Sequence, residues 1–406
     1  MKSMKTCKKN IPDGMRDMVY GESKAVKQLG DRLLSRYENR GYTEVVTPTV
    51  EFFDVFNVRN RVIPEENMFK LTDKSGRLVV LRPDNTTPMA RIAATRLKNA
   101  PRPVKLCYNQ NVFRTSDGYS GRRSEFTQTG VEILGGDAFK ADIECVSGAL
   151  ASLKEISACF GGAAYQLEIG HAGFAMALLD SLNLDETEKE LALDYVASKN
   201  SSAIEFLSGS RENVDEAIRL LRRIPRLFGG KDVLDKAREL CEGVPAANTA
   251  LDSLLSLYTV LERAGLAEHV AIDLSIVHEM EYYTGLVFRG YIEGAGEAVL
   301  GGGRYDTLLE NFGESTPATG FGVNISVLAD RLAKTSDGGA EHRVQCLIHY
   351  EPENLAAALE YAETSGKVCE FSCFDRFEDS LAYAAGKGIS GVVRICGSNV
   401  VEVTRV

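Results

Sequence analysis

The sequence predicts a mixed α/β (α+β) protein: a sheet core that is discontinuous along the chain, a helical insertion within it, and a small C-terminal α/β domain. Three observations lead there. β-Branched runs such as RPVKLCYNQNVFRT, EFTQTGVEILG and YTGLVFRGYI are separated by segments of helical period. From about Ala172 to Ala267 the helical period dominates, with Val214, Ile218 and Leu221 on one face and Leu251, Leu254, Leu255 and Tyr258 on another. A Gly-rich polar stretch, TSDGGAEHR, then precedes a fresh alternation of strands and helices. The expected division is residues 1–171 and 268–333 for the two parts of the core, 172–267 for the insertion, and 341–406 for the C-terminal domain.

Each element has its own signal. From Tyr20 to Arg40 the apolar positions Val26, Leu29, Leu33, Leu34 and Tyr37 recur at helical spacing, and Gly41 ends the run. YTEVVTPTVEFFDVF predicts a strand, with Pro48 at an edge or strand end. GRLVVLRPD and RPVKLCYNQNVFRT predict strands flanking a helix from about Thr86 to Lys98, where Pro88 is tolerated because first-turn N–H groups are unpaired anyway. EFTQTGVEILG predicts a further strand, Ala141 to Ser157 a helix, and YQLEIG a return to extended structure. After the insertion, punctuated by Gly229-Gly230 and Gly243, AIDLSIV and YTGLVFRGYI resume the sheet. The C-terminal order is strand-helix-strand-helix-strand-strand: VQCLIHY, a helix from Pro352, KVCEFSCF, a helix near Glu378, GVVRIC and VVEVTRV. Cys369 and Cys373, four apart in a strand-like stretch, are expected to share one buried face.

Composition narrows the function classes. The 406 residues, 44% of them apolar, suffice for two or three domains with full cores. A formal net charge of −10 gives no electrostatic footprint for a polyanion, so nucleic acid is not an expected partner. No apolar run approaches the roughly 18 residues of a membrane span. MKSMKTCKKN leads into IPDG rather than an apolar signal core, so neither a membrane nor export is expected. Nine scattered cysteines, an odd number, argue against a disulfide framework and for a reducing cytoplasm. No metal site and no cofactor is expected.

Three stretches carry candidate chemistry. In VFRTSDGYSGRRSEFTQTGVE, the spacing of Gln128, Gly130 and Glu132 places them on one sheet face. That face is either solvated or, as the core-like flanks favour, turned into a pocket where Glu132 accepts from an ammonium or imidazole N–H. LGGGRYDTLL lacks the GK[ST] of a phosphate-cradling loop. Its glycines allow close backbone approach beside a pocket, or simply a tight sheet turn. SIVHEMEYYTG joins two tyrosines to Glu279 and Glu281, with no Arg or Lys. His171, at a strand-to-helix junction, is read as a capping or packing residue.

With these motifs in place, the chain resembles the class II aminoacyl-tRNA synthetases, in particular the histidyl-tRNA synthetase family, over roughly residues 10 to 330. TPTVEFF resembles the dimer-interface motif of that class, and NVFRTSDGYSGRRSEFTQTGVE its strand-loop-strand motif for ATP and amino acid. EMEYYTG resembles the histidine-recognition segment, and GGGRYDTLL with PATGFG the run into the last class motif. The resemblance implies an antiparallel sheet core and a histidine pocket. In it Asp84, Thr86 and Gln128 match the residues holding the α-amino group, and Glu132 and Tyr283, beside Tyr282, match those facing the imidazole. Arg114 matches the arginine gripping the α-phosphate. Asp84 stands where the family usually has Glu, one methylene longer.

Two further departures bear on activity. His278 stands where the family has an arginine near the α-phosphate, and Val327 where it has one holding the triphosphate; Arg331 lies one helical turn further on. Amino-acid activation brings a carboxylate onto a phosphate, and two such charges about 4 Å apart repel by about 4 kcal/mol at an effective dielectric of 20. Removing one fixed cation typically costs about 3 kcal/mol of barrier, or about 100-fold in rate. A largely neutral histidine and a valine therefore predict an amino-acid pocket without catalysis.

The family's branch with these features, and with a shortened tail, is that of the ATP phosphoribosyltransferase regulatory subunits, which LRPDNTTPMARIAATRL and GRRSEFTQTGVEILG resemble more closely than the active synthetases. The resemblance implies a non-catalytic chain that dimerises within a hetero-oligomer, partners a short-form catalytic subunit, and relays feedback by histidine. Two rival expectations are an active histidyl-tRNA synthetase and an enzyme activating an amino acid for another acceptor. Histidine-dependent ATP–pyrophosphate exchange separates both from the regulatory reading.

Overall fold

The computed structural model describes residues 10–58, 63–115, 123–181, 184–200, 222–277, 282–329, 331–332, 344–397 and 399–405. The chain divides into two units, Met1–Leu332 and Ala333–Val406. In the first, helix α1 (Tyr20–Glu38) forms where the apolar spacing predicts, and Val26, Leu29, Leu33 and Tyr37 are its buried face. The predicted strand over YTEVVTPTVEFFDVF is instead three elements: β1 (Thr43–Glu44), β2 (Val50–Phe52) and the short helix α2 (Phe53–Phe56). The two strands join different sheets. Pro48 brings no N–H to a ladder, and the junction is held by tertiary bonds. The Arg82 guanidinium donates to Thr47 O at 2.8 Å and to Asn111 O at 2.7 Å, and Thr47 N–H donates to Gln110 Oε1 at 2.8 Å.

Strands β3 (Lys70–Thr72) and β4 (Leu78–Leu81) pair with β2 in the order β2-β4-β3. Helix α3 (Thr86–Ala94) begins as expected and stops one turn before Lys98. Asp84 starts it, accepting from Thr87 N–H at 2.7 Å in the manner of an N-cap. Strands β5 (Val104–Phe113) and β6 (Glu125–Leu134), helix α4 (Ala138–Cys159) and strand β7 (Tyr165–His171) follow their sequence signals. Asp137 caps α4, accepting from Lys140 N–H at 2.9 Å.

Within 172–267 lie α5 (Ala172–Asp180), α6 (Glu186–Ala197), β8 (Phe228–Gly229), α7 (Asp232–Leu240) and α8 (Pro245–Arg263). Their apolar faces, including Leu251 and Leu254 of α8, join the same buried cluster as α1 and α4. Val214, Ile218 and Leu221 lie outside the described residues, as does the stretch TSDGGAEHR. Strands β9 (Val270–Asp273), β10 (Leu286–Ile292), β11 (Leu300–Arg304) and β12 (Ala318–Asn324) complete a nine-stranded sheet in the order β1-β5-β6-β12-β11-β10-β7-β9-β8. All central pairings from β5 to β7 are antiparallel. One face carries Val131, Phe321 and Phe288 into the cluster with α1 and α4. The other face is open and holds the cleft described below.

The second unit follows its predicted order: β13 (Cys346–Tyr350), α9 (Leu355–Thr364), β14 (Cys369–Phe371), α10 (Phe377–Lys387), β15 (Gly391–Cys396) and β16 (Asn399–Arg405). Its sheet has apolar residues on both faces. Ile348, Val393 and Ile395 meet Ala358 of α9, while Leu347 and Val392 meet Ala384 of α10. Cys369 and Cys373 do not share a buried face: β14 ends at Phe371, and Cys373 is exposed beyond it.

At the end of β11 the Arg304 guanidinium is 7% exposed and grips Asp142 of α4 with two bonds, Nε to Oδ2 at 3.1 Å and Nη2 to Oδ1 at 2.8 Å. Its other nitrogen donates to Asp306 at 2.9 Å. Removing Asp142 leaves the buried guanidinium with Asp306 alone and strips two charge-assisted hydrogen bonds, so Asp142→Ala is expected to lower unfolding stability by about 2 kcal/mol in urea titration.

Candidate functional site

The open face of the sheet is shaped by glycine. Glu132 of β6 stands opposite Gly320 of β12, which stands opposite Gly303 of β11; Gly130 is followed in the same way by Gly322 and Gly301. Side chains lie flat in the space these glycines leave. A Cβ at Gly320 would sit 1.7 Å from Glu132 Oε2, one at Gly322 2.4 Å from Gln128 Nε2, and one at Gly303 2.8 Å from the Tyr283 ring. Gly301 has nothing within 4 Å of such a position, because there the trough is open. Close approach, one of the two readings of LGGGRYDTLL, is therefore what Gly302 and Gly303 provide.

Above this floor lies a cleft of about 720 Å³. Asp84, Thr86, Arg114, Gln128, Tyr282 and Tyr283 all line it, so the structure brings these sequence-predicted residues together. Glu132 is directly beneath, only 1% exposed, which excludes the solvated-face reading of that strand. Its carboxyl accepts from Thr86 Oγ1 at 2.8 Å, from Tyr108 OH at 3.4 Å, and from Tyr305 OH by a short hydrogen bond. Gln128 Oε1 accepts from Asn85 Nδ2 at 3.1 Å, which turns its NH₂ group toward Gly322.

Burial dominates the electrostatics. With only hydroxyls for partners, Glu132 is pushed up to about 8 by burial, so it holds a proton at neutral pH. Asp84 is also raised by burial, opposed by its bonds from Thr87 and by the charge of Arg114. The phenols of Tyr108, Tyr282 and Tyr305 are pushed well above their ordinary range, again by burial. Tyr282 stacks on Tyr305 with ring centres 5.1 Å apart, and its buried hydroxyl has no hydrogen-bond partner among the described residues. The cleft thus offers acceptors and two buried acids, a setting that favours a ligand rich in N–H donors and carrying positive charge. Among the described residues no group of three His, Cys, Asp or Glu could hold a metal ion.

The positions that the resemblance assigns to phosphate are arranged differently. His278 lies outside the described residues. Val327 falls in a short 3₁₀ turn, Ile325–Leu328, and packs against the apolar core. Arg331, the nearest later cation, donates to Glu293 O and covers the Phe160 ring at 4.2 Å, and it does not line the cleft. The Arg114 guanidinium donates to Pro83 O at 2.8 Å and lies 5.3 Å from the Phe126 ring centre. Arg289, which the sequence reading missed, lines the far end beside Glu297. It stands opposite Glu168 in the sheet, so an acid shares its charge. Tyr108, Tyr305 and Asn85 were missed as well. Strand parity with Gln110 signals Tyr108, and the adjoining GGGR signals Tyr305; Arg289 depends on a register across three strands that has no local signal. His171 takes the expected capping role, its Nδ1 accepting from Gly173 N–H at 3.2 Å.

Comparison with known proteins identifies the family and the fold. The histidyl-tRNA synthetase family matches residues 14–328. The ATP phosphoribosyltransferase regulatory subunit of Clostridium acetobutylicum is 38% identical over 401 residues, 97% of each chain. That of Clostridium kluyveri is 37% identical over 391 residues, 95% of this chain and 99% of its own. Among solved structures, an ATP phosphoribosyltransferase regulatory subunit/histidyl-tRNA synthetase from Bacillus halodurans C superposes with a TM-score of 0.82 at 31% identity, covering 97% of this chain and 100% of its own. Histidyl-tRNA synthetase from Nostoc sp. PCC 7120 shares the fold, with a TM-score of 0.74 at 22% identity, over 97% of this chain and 92% of its own.

Glu132 gives the site a pH signature. It loses its proton near 4.5 when unfolded and at about 8 when folded, so between these values the folded state holds more protons. Stability should therefore fall as pH rises through that window, by up to about 1.4 kcal/mol per pH unit. Urea midpoints measured from pH 5 to 8.5 should lose this component in Glu132→Gln. The glycine floor is tested by Gly320→Ala, expected to cost about 2 kcal/mol through overpacking, against Gly301→Ala, expected to leave the thermal midpoint nearly unchanged.

Proposed function

The chain belongs to the family of ATP phosphoribosyltransferase regulatory subunits, and on that premise we propose that it binds histidine in the glycine-floored cleft and acts on a separate catalytic subunit. It is itself the non-catalytic, regulatory member of the pair. The observation that carries the reading is the imbalance of the cleft. Its amino-acid end is furnished with Asp84, Thr86, Gln128, Tyr282 and Tyr283 over the buried Glu132, while Val327 packs against the apolar core and Arg331 is engaged elsewhere. Binding a free amino acid needs no cation to offset a phosphate; activating it with ATP does.

The ligand fits by charge and by donor pattern. An α-ammonium group matches Asp84 and Gln128, and an imidazole N–H matches Glu132 and the tyrosine hydroxyls around it. The partner in this reading is a short-form catalytic subunit that joins ATP to phosphoribosyl pyrophosphate. Feedback follows if histidine binds two states of the assembly unequally, and a tenfold difference corresponds to about 1.4 kcal/mol. Self-association is supported by the three-stranded sheet: Val50, Phe52 and Leu71 share one of its faces and are 49%, 42% and 45% exposed. Such an apolar face suits an isologous dimer inside a larger hetero-oligomer. A cytoplasmic setting fits the described cysteines, which are all free thiols. Among the described residues no helix is long and apolar enough to cross a membrane.

Isothermal titration should show histidine binding to the chain, weakened about tenfold or more by Glu132→Ala. Unchanged affinity in that variant would rule this pocket out. The chain should co-purify with a short catalytic subunit and make its phosphoribosyl transfer sensitive to histidine; histidine-dependent ATP–pyrophosphate exchange by the chain alone would sink the non-catalytic reading. Light scattering should find a dimer that Val50→Asp with Phe52→Asp converts to a monomer.

A further inference from the structure

A second cavity lies on the opposite face of the sheet, back to back with the cleft. Neighbouring rows of a sheet point to opposite sides. The row after Glu132 and Gly320 runs through Ile133, Thr319 and Arg304, and His171 stands opposite Leu286 on the neighbouring strands. Where this row meets α4 and α8 it leaves a space of about 260 Å³, bordered by Phe139, Asp142, His171, Leu254, Leu257 and Thr284. The two cavities share their walls at consecutive residues. Tyr283 and Tyr305 face the cleft, while Thr284 and Arg304 face the rear space.

We propose that this rear cavity binds a small uncharged polar molecule, an amide or similar group that carries both a hydrogen-bond donor and an acceptor on a short apolar body. The polar end of the cavity supplies both partners. His171 Nδ1 accepts from Gly173 N–H, which places the ring proton on Nε2. That donor has no partner among the described residues, and the ring lines the cavity. Asp142 supplies acceptor oxygens with lone pairs to spare after its two bonds from Arg304. Leu254 and Leu257 form the apolar wall.

Charge excludes the alternatives. The Arg304 guanidinium is already balanced by Asp142 and Asp306, and burial holds the His171 ring down to about 4, so it stays neutral at physiological pH. An anion would therefore meet no free cation, and a cation would meet only carboxylates already engaged by Arg304, so a net charge of either sign would leave water without full compensation. The volume falls just below the range of about 300–1,000 Å³ typical of drug-sized ligands, so the occupant is a fragment of a few heavy atoms. This inference stands apart from the reading of the front cleft, because none of the residues proposed to bind histidine takes part in it.

The test uses the full chain with isotope-labelled histidine rings and propionamide as the probe, at pH 8. The His171 resonances, assigned by their loss in His171→Gln, should shift saturably. Propionate and propylammonium, the charged analogues, should leave them in place. Leu254→Phe, which fills the cavity, should weaken binding at least about tenfold, or about 1.4 kcal/mol. Ser253→Phe does the same from the exposed rim should the first variant fail to fold. The proposal is overturned if propionamide gives no saturable shift at His171, if an occluding variant binds as the wild type does, or if the charged analogues bind equally well.

Discussion

Glu132 lies across the bare backbone of Gly320 while Tyr305, Thr86 and Tyr108 donate to its carboxyl, and the cleft depends on that arrangement. A buried acid without a cation is costly unless hydroxyls take its lone pairs. Meeting that requirement brings together four distant parts of the chain: the start of α3, strands β5 and β6, and the turn after β11. Any residue larger than glycine at 320 would displace the carboxyl, and with it the network that fixes Tyr305 and, by stacking, Tyr282.

In the proposed reading, the same arrangement lets a synthetase-like fold serve as a binding module. The end of the cleft around Asp84, Thr86 and Glu132 is built from hydrogen bonds and burial, which need no reacting phosphate to be stable. The resemblance assigns the phosphate end of such a site to arginines, which act by stabilising a transition state. Val327 illustrates this: partly buried, it packs against the hydrophobic cluster. Arg289 and Arg114 remain at the cleft, but the first faces Glu168 and the second is bonded to a backbone carbonyl.

Across the sheet the chain repeats the economy of using one backbone for two surfaces. Because successive residues alternate sides, Arg304 and Tyr305 serve opposite cavities, as do Thr284 and Tyr283. The Arg304–Asp142 pair ties the end of β11 to α4, while the next residue in the chain completes the Glu132 network. Structural and ligand-facing roles are thereby fixed by one register.

Much of this was legible in the chain itself. Periodicity gave α1, α4, β5, β6 and the order of the C-terminal unit, since helical and strand repeats are local properties of burial. Family resemblance placed Asp84, Thr86, Gln128, Glu132 and both tyrosines, and the parity of Gln128 and Glu132 put them on one side. The break in YTEVVTPTVEFFDVF was not legible, because it rests on bonds from Arg82 and Gln110, which lie far along the chain. Nor were Arg289, the protonation of Glu132, or the rear cavity. Sequence by itself determined which segments form strands and helices and which side chains share a face, as these follow from spacing alone. Only the tertiary structure decided which strands are neighbours, and so which glycine lies under which side chain and how deeply each charge is buried.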